Sequence, residues 1–251
     1  MNQCDKYCSA ENPLEQVRLL YTELAQNPEK DFGWGKGKEN ACTLGYADEW
    51  LNRLPDIVWE SAAAVGNPFG LGPIHAGETI IDIGCGAGAD ACIAAILVGK
   101  EGKVFGIDCT SAMIAKASDN ADVSGLPQAV FHEAEMTDLP LQDCIADMVI
   151  SNGVINLAED KEAVLAEAYR VLRPGGRLQI ADMVRDIPTG DSACCSREES
   201  WADCVSGTLE PDTFLSMLTK AGFSDVVLAG FTDYRTAATT RGALFRAIRP
   251  D

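Results

Sequence analysis

From residue 79 onward, short apolar runs alternate with stretches of helical period, the pattern of a parallel sheet covered on both faces by helices. The runs TIIDIG (79–84), KVFGI (103–107), AVFH (129–132), ADMVI (146–150) and GRLQIAD (176–182) predict strands. Helices are predicted at about 88–99, 111–124 and 158–172, the last closed by Arg173-Pro174-Gly175-Gly176. A helix at about 211–221 leads through Gly222 to strands at 224–230 and 243–248. The stretch 186–200 has no period and reads as a loop over the active site.

Ahead of this pattern, Val17, Leu20, Tyr21 and Leu24 recur at helical spacing in 13–26, which Asn27-Pro28 closes. The Gly-, Lys- and Asn-rich stretch 30–44 predicts a loop, followed by a helix at about 46–64 that Gly66-Asn67-Pro68 ends. The organisation expected is an α/β chain in three parts. Residues 1–65 form an N-terminal helical lid, 66–185 a Rossmann-like core, and 186–251 a substrate loop with a sheet-completing segment.

Composition changes this picture little: 47% hydrophobic and 23% charged residues in 251 are those of a soluble globular chain. A net charge of −18 disfavours a partner that is nucleic acid or anionic lipid. No apolar run is long enough to cross a membrane, and Met1–Pro13 carries acids and cysteines where a signal peptide needs a basic patch and an apolar core. A cytoplasmic protein acting on a small molecule is expected. Its ten cysteines then read as core filler, soft-metal ligands or redox groups before structural disulfides.

Asp82-Ile83-Gly84-Cys85-Gly86-Ala87-Gly88 follows a buried strand and opens a helix, where glycines let the backbone approach a ligand at a helix N-terminus. The spacing is G-x-G-x-G with Ala89-Asp90 following, unlike a dinucleotide fingerprint. Asp108 ends the next strand about 20 residues on, where a carboxylate can accept both ribose hydroxyls. Bland alternatives remain open: a tight turn without a ligand, and Asp108 as a helix cap beside Thr110 and Ser111.

The successive segments DIGCGAG, GIDCT, EAEMTDLP, ISNGVINL and VLRPGGRLQIAD resemble, in order, the motifs of class I S-adenosylmethionine-dependent methyltransferases over about 75–185. The resemblance implies S-adenosylmethionine as cofactor. It places Gly84, Gly86 and Gly88 under the methionine moiety, Asp108 at the ribose, Met113 nearby and Glu135-Met136 at the adenine, and counts Asp82, Cys85 and Cys109 among the cofactor-binding residues. Ser151 and Asn152, after the fourth strand, are implied to face the methyl-transfer centre. A nicotinamide enzyme is the alternative for such a fold.

The chain is more closely similar to the arsenite methyltransferase subgroup over about 45–225, through ETIIDIGCGAGADACIAA, SNGVINL and the segment from Asp203 to Leu209. That subgroup typically carries three cysteines, at positions that here read Val65, Gly153 and Cys204. Trivalent arsenic is soft and is held by several thiolates at once. Cys204 is therefore the implied substrate contact, with Asn152 beside it, and Cys42, Cys194, Cys195, Cys4 and Cys8 are the possible replacement thiols. Cys85, Cys92, Cys109 and Cys144 read as core residues, and no cysteine pair has the spacing of a structural zinc site. His75 and His132 read as structural. The reaction implied is methyl transfer to a small soft nucleophile. The alternatives are methylation of oxygen, nitrogen or carbon on another metabolite, with Asn152 or Asn156 orienting it, and a non-catalytic metal or cofactor sensor.

Overall fold

The computed structural model describes residues 12–186 and 207–251. Cys4, Cys8, Cys194, Cys195 and Cys204 lie outside the described residues, as does nearly all of the stretch 186–200.

Seven strands form one sheet in the order β3-β2-β1-β4-β5-β7-β6. They are β1 (Thr79–Ile83), β2 (Lys103–Asp108), β3 (Ala129–Glu133), β4 (Ala146–Asn152), β5 (Leu172–Arg185), β6 (Ser224–Phe231) and β7 (Thr240–Ile248). The first five are parallel, and β7 inserts antiparallel between β5 and β6, paired from Arg177↔Ile248 to Arg185↔Thr240. Helices α5 (Ala89–Val98), α6 (Ser111–Ser124), α7 (Lys161–Val171) and α8 (Pro211–Lys220) cover the faces. The buried runs of β1 and β4 reflect this two-sided cover. The chain order reverses between β1 and β4, which opens a crevice at their carboxyl ends.

The N-terminal segment departs from expectation in two places. Helix α1 (Pro13–Gln26) is as predicted, with Pro13 in its first turn and the Asn12 side chain accepting from Leu14 N at 2.7 Å. The stretch predicted as a loop holds a short helix, α2 (Gly37–Thr43), whose one buried residue, Ala41, leaves no period to read. The helix predicted over 46–64 is two pieces, α3 (Asp48–Arg53) and α4 (Asp56–Trp59). Pro55 splits them, since the residue before a proline is pushed out of helical geometry and Leu54 is extended. Past Trp59 the chain is irregular up to a short 3₁₀ turn at Pro68–Leu71.

Residues 41–59 are built into the core and do not lie apart from it. Tyr46, Leu51, Leu54, Val58 and Trp59 pack in one apolar cluster with Ile80, Ile93, Met148 and Ile150 of the sheet and α5. Tyr46 meets both Trp59 and Phe69 edge-on. The turn expected at 173–176 is instead the start of β5, with a register shift opposite Ala146/Met148. No helix among the described residues is long and apolar enough to cross a membrane.

Candidate functional site

A cavity of about 310 Å³ opens at the crevice between β1 and β4, a size that suits a small ligand or cofactor. Its floor is the turn after β1. Gly84 has φ +72, and a Cβ there would fall 2.4 Å from Val154 Cγ2, so only glycine fits. Gly86, at φ +52, has nothing within 4 Å of where its Cβ would stand, so that space belongs to the cavity. Gly88 does not line the cavity; in left-handed geometry it caps α5, and a Cβ there would lie 3.0 Å from Ala117 and Phe131.

Asp108 lines the cavity and also ties the loop that leads into α6, although it is not itself the helix cap. Its Oδ1 accepts from Thr110 N at 2.9 Å at the start of α6, and its Oδ2 accepts from Gly86 N at 3.0 Å while the residue lines the cavity. Thr110 is the helix cap. Burial raises the Asp108 carboxyl, and the backbone donors partly offset this. Cys109, Met113, Glu135 and Met136 all line the cavity along the same side.

Asp82 and Asp90 complete the floor. Asp90 accepts from Tyr46 Oη at 2.8 Å and Asn152 Nδ2 at 2.8 Å, and burial pushes its carboxyl up to about 6 against those donors. Asp82 is 2% exposed, and its Oδ2 has no hydrogen-bond partner. Burial raises its carboxyl well above the usual range, and Asp90 and Asp108 add to the effect. Neither Asp90 nor Tyr46 stood out in the sequence. The only signal was the acid in the first helical turn after the glycines, and its partners are 44 and 62 residues away.

Asn152 lines the cavity, but its amide is engaged. Oδ1 accepts from Val65 N at 3.0 Å, and Nδ2 lies within 3.0 Å of Tyr46 Oη, Gly66 O and Asp90 Oδ2. Ser151 stands outside the lining: its hydroxyl donates to Ile83 O at 3.0 Å, tying β4 to β1. Asn156 is also outside it, bound to Asp182, which further accepts from Ile155 N at 2.9 Å and shapes the turn after β4. Burial pushes Asp182 up to about 6.

Leu14, Val17 and Tyr21 of α1 form the roof, facing Val154 and Leu157 of the turn after β4. Arg18 on the same helix pairs with Glu135 at 3.2 Å. Six carboxylates, Asp82, Asp90, Asp108, Glu135, Glu159 and Asp160, line the cavity, and no lysine, arginine or histidine does so among the described residues.

The thiols divide clearly. Cys85 lines the cavity, but burial, followed by Asp82 and Asp108, holds its thiol well above the ordinary value. Cys92 is pushed up to about 12 by burial. Both are kept as protonated, apolar side chains. Cys42 and Cys144 are exposed and away from the cavity. His75 and His132 are also outside the lining, the latter stacked on Phe105.

A family model described as a methyltransferase domain matches residues 74–222. An arsenite methyltransferase of Halobacterium salinarum is 41% identical over 87% of this chain and 59% of its own length. One from Aquipseudomonas alcaligenes is 35% identical over 84% of this chain and 62% of its own. The chain thus spans about six-tenths of the length of these curated relatives. An arsenic(III) S-adenosylmethionine methyltransferase from Chlamydomonas reinhardtii superposes with a TM-score of 0.57 at 28% identity, over 86% of this chain and 74% of the other. With glycine turn, strand-end acid and reversed strand order in place, the chain belongs to the methyltransferase domain family, as a class I S-adenosylmethionine-dependent member similar to arsenite methyltransferases.

Proposed function

We propose that this chain transfers a methyl group from S-adenosylmethionine to a small soft nucleophile, a trivalent metalloid or a thiol. The observation that carries the reading is a cavity at the strand reversal whose floor joins the glycine turn to Asp108 through Gly86 N at 3.0 Å. The residues present fit the cofactor. Open space at Gly86 leaves room for it, the unpartnered Asp82 oxygen suits an ammonium group, and Asp108 suits a ribose. When bound, S-adenosylmethionine supplies an electrophilic methyl group on a sulfonium.

The protein's part is alignment and exclusion of water. Leu14, Val17 and Tyr21 shield the cavity from above, and Val154 and Leu157 form its apolar wall. Asn152 is a positioning residue that holds Val65 and Gly66 beside the floor. Cys204 is the thiol proposed to meet the acceptor. The likeness to arsenite methyltransferases supports a soft acceptor, and their printed activity is extended to this chain only as part of the proposal.

A second reading, methylation of oxygen, nitrogen or carbon on another metabolite, is favoured by one observation: the pair Val65 and Gly153 brings no sulfur to the acceptor side. Formation of S-adenosylhomocysteine with arsenite, a small thiol and a panel of hydroxyl and amine metabolites separates the two. Turnover confined to the hydroxyl and amine compounds would replace the first reading with the second.

A further inference from the structure

Three carboxylates meet under the cavity, and they are not alike. Both oxygens of Asp90 are matched, by Tyr46 Oη and Asn152 Nδ2, and both oxygens of Asp108 are matched, by Gly86 N and Thr110 N. Asp82 accepts from Ala91 N, but its Oδ2, though buried, has no donor. A buried carboxylate oxygen without a donor, beside two further carboxylates, is the least stable place in the cavity for a negative charge.

The groups facing Asp82 make this sharper. They are Asp90 and Cys92 on α5, Asp108 on β2, Cys85 in the glycine turn and Tyr46 from the N-terminal segment, each acidic or neutral. No cation lines the cavity among the described residues.

We propose that Asp82 is a proton-exchange site for the cationic end of the ligand: it holds a proton in the empty cavity and releases it when a protonated amine arrives. This rests on the cofactor reading above. In the exchange the Asp82 O–H bond breaks, the proton passes to solvent, and the carboxylate accepts an N–H of the amine. Charge in the floor stays constant across the step. The raised Asp82 carboxyl agrees with this order of events.

Two consequences follow. The cavity selects ligands that carry an amino-acid end over those with the same nucleoside and thioether but no ammonium. Affinity for amine-bearing ligands also strengthens with pH, by up to about tenfold per pH unit where one whole proton is released.

The test is calorimetric titration with S-adenosylhomocysteine and, separately, with 5′-deoxy-5′-methylthioadenosine, which lacks the amino-acid end. Each is run in buffers of different ionisation enthalpy at steps from about pH 5 to about pH 8. The expected result is release approaching one proton for S-adenosylhomocysteine at some step of the series, and close to none for methylthioadenosine. Asp82→Asn is expected to bind S-adenosylhomocysteine with no release. The infrared carbonyl band of a protonated carboxyl should disappear when wild type is saturated with S-adenosylhomocysteine, a readout that holds even if the variant does not fold. Binding of S-adenosylhomocysteine with no proton release throughout overturns the proposal and leaves the cofactor reading intact, as does release undiminished in Asp82→Asn. Failure to bind S-adenosylhomocysteine at any pH overturns both.

Discussion

Val65 packs against Gly153, so that a Cβ built on Gly153 would lie 3.0 Å from Val65 Cγ1 and 3.5 Å from Cγ2. These two positions, 88 residues apart, face each other with no thiol between them, where the resemblance to the arsenite methyltransferase subgroup implied a pair of cysteines. Gly153 has φ +72 and lines the cavity, so a cysteine there accepts backbone strain of about 1–3 kcal/mol. The paired substitution Val65→Cys with Gly153→Cys is expected to lower thermal stability but raise affinity for arsenite. Isothermal titration with arsenite checks it, and equal affinity in wild type and the double variant would detach these positions from the acceptor.

The three glycines of the turn are expected to fail in different ways when changed to alanine. Gly84→Ala should prevent folding, because the new methyl falls 2.4 Å from Val154. Gly88→Ala should fold with reduced stability, since its methyl meets Ala117 and Phe131 at 3.0 Å. Gly86→Ala should fold, with backbone strain of about 1–3 kcal/mol from φ +52 but no clash, and should lose cofactor affinity, because its methyl enters the cavity itself. Paired melting and binding measurements would show the separation; a Gly86→Ala chain that binds S-adenosylhomocysteine as well as wild type would contradict it.

Asn152→Ala removes an amide that touches Val65 N, Tyr46 Oη, Gly66 O and Asp90 Oδ2, and leaves buried partners unmatched. A loss of about 2–4 kcal/mol in unfolding free energy is expected. Tyr46→Phe removes one hydroxyl from the same knot and should cost about 1–2 kcal/mol. Denaturant titration of both variants checks the order, and a Tyr46→Phe loss as large as that of Asn152→Ala would assign the knot to the tyrosine.

Much of this was legible in the sequence, and what was missed shares a physical reason. Strands β1 to β4 announce themselves as apolar runs, and Gly84 marks a turn that other residues cannot make. Pro55 was visible, but the helical period on either side concealed the break it imposes. Asp90, Asp182 and Tyr46 were silent because their importance comes from partners brought together by the sheet, as Asn152 is to Tyr46 across 106 residues. The sequence assigned Asn152 to the reacting centre because of its place after β4. The structure puts it at the cavity with its amide bound to protein groups.

Stability should fall as pH rises from about 4 to about 6. Asp90 and Asp182 are each raised to about 6 in the folded chain, whereas unfolded aspartates titrate near about 4. Between those values the folded chain binds more protons than the unfolded one, so protonation favours folding and each further ionisation opposes it. Glu167, lowered by hydrogen bonds from Arg170, acts in the opposite sense at more acid pH. The unfolding temperature is therefore expected to peak near about pH 4 and to fall toward about pH 6, at constant high salt to screen the net charge of −18. Asp182→Asn should flatten the slope while lowering absolute stability; a slope unchanged in that variant would remove Asp182 from the effect.

Asp108→Ala should weaken binding of S-adenosylhomocysteine by about 1–3 kcal/mol, through loss of a charge-assisted hydrogen bond and of the tie to Gly86 N. Calorimetry decides, and unchanged affinity would move the ribose elsewhere.

The central claim is tested most directly by following an isotopically labelled methyl group from S-adenosylmethionine and identifying by mass spectrometry the atom that receives it, with arsenite, a small thiol and hydroxyl or amine metabolites offered together. The account predicts a product methylated on arsenic or sulfur, with one S-adenosylhomocysteine formed for each methyl group transferred. A product methylated only on oxygen, nitrogen or carbon, or no methylated product at all, would contradict it.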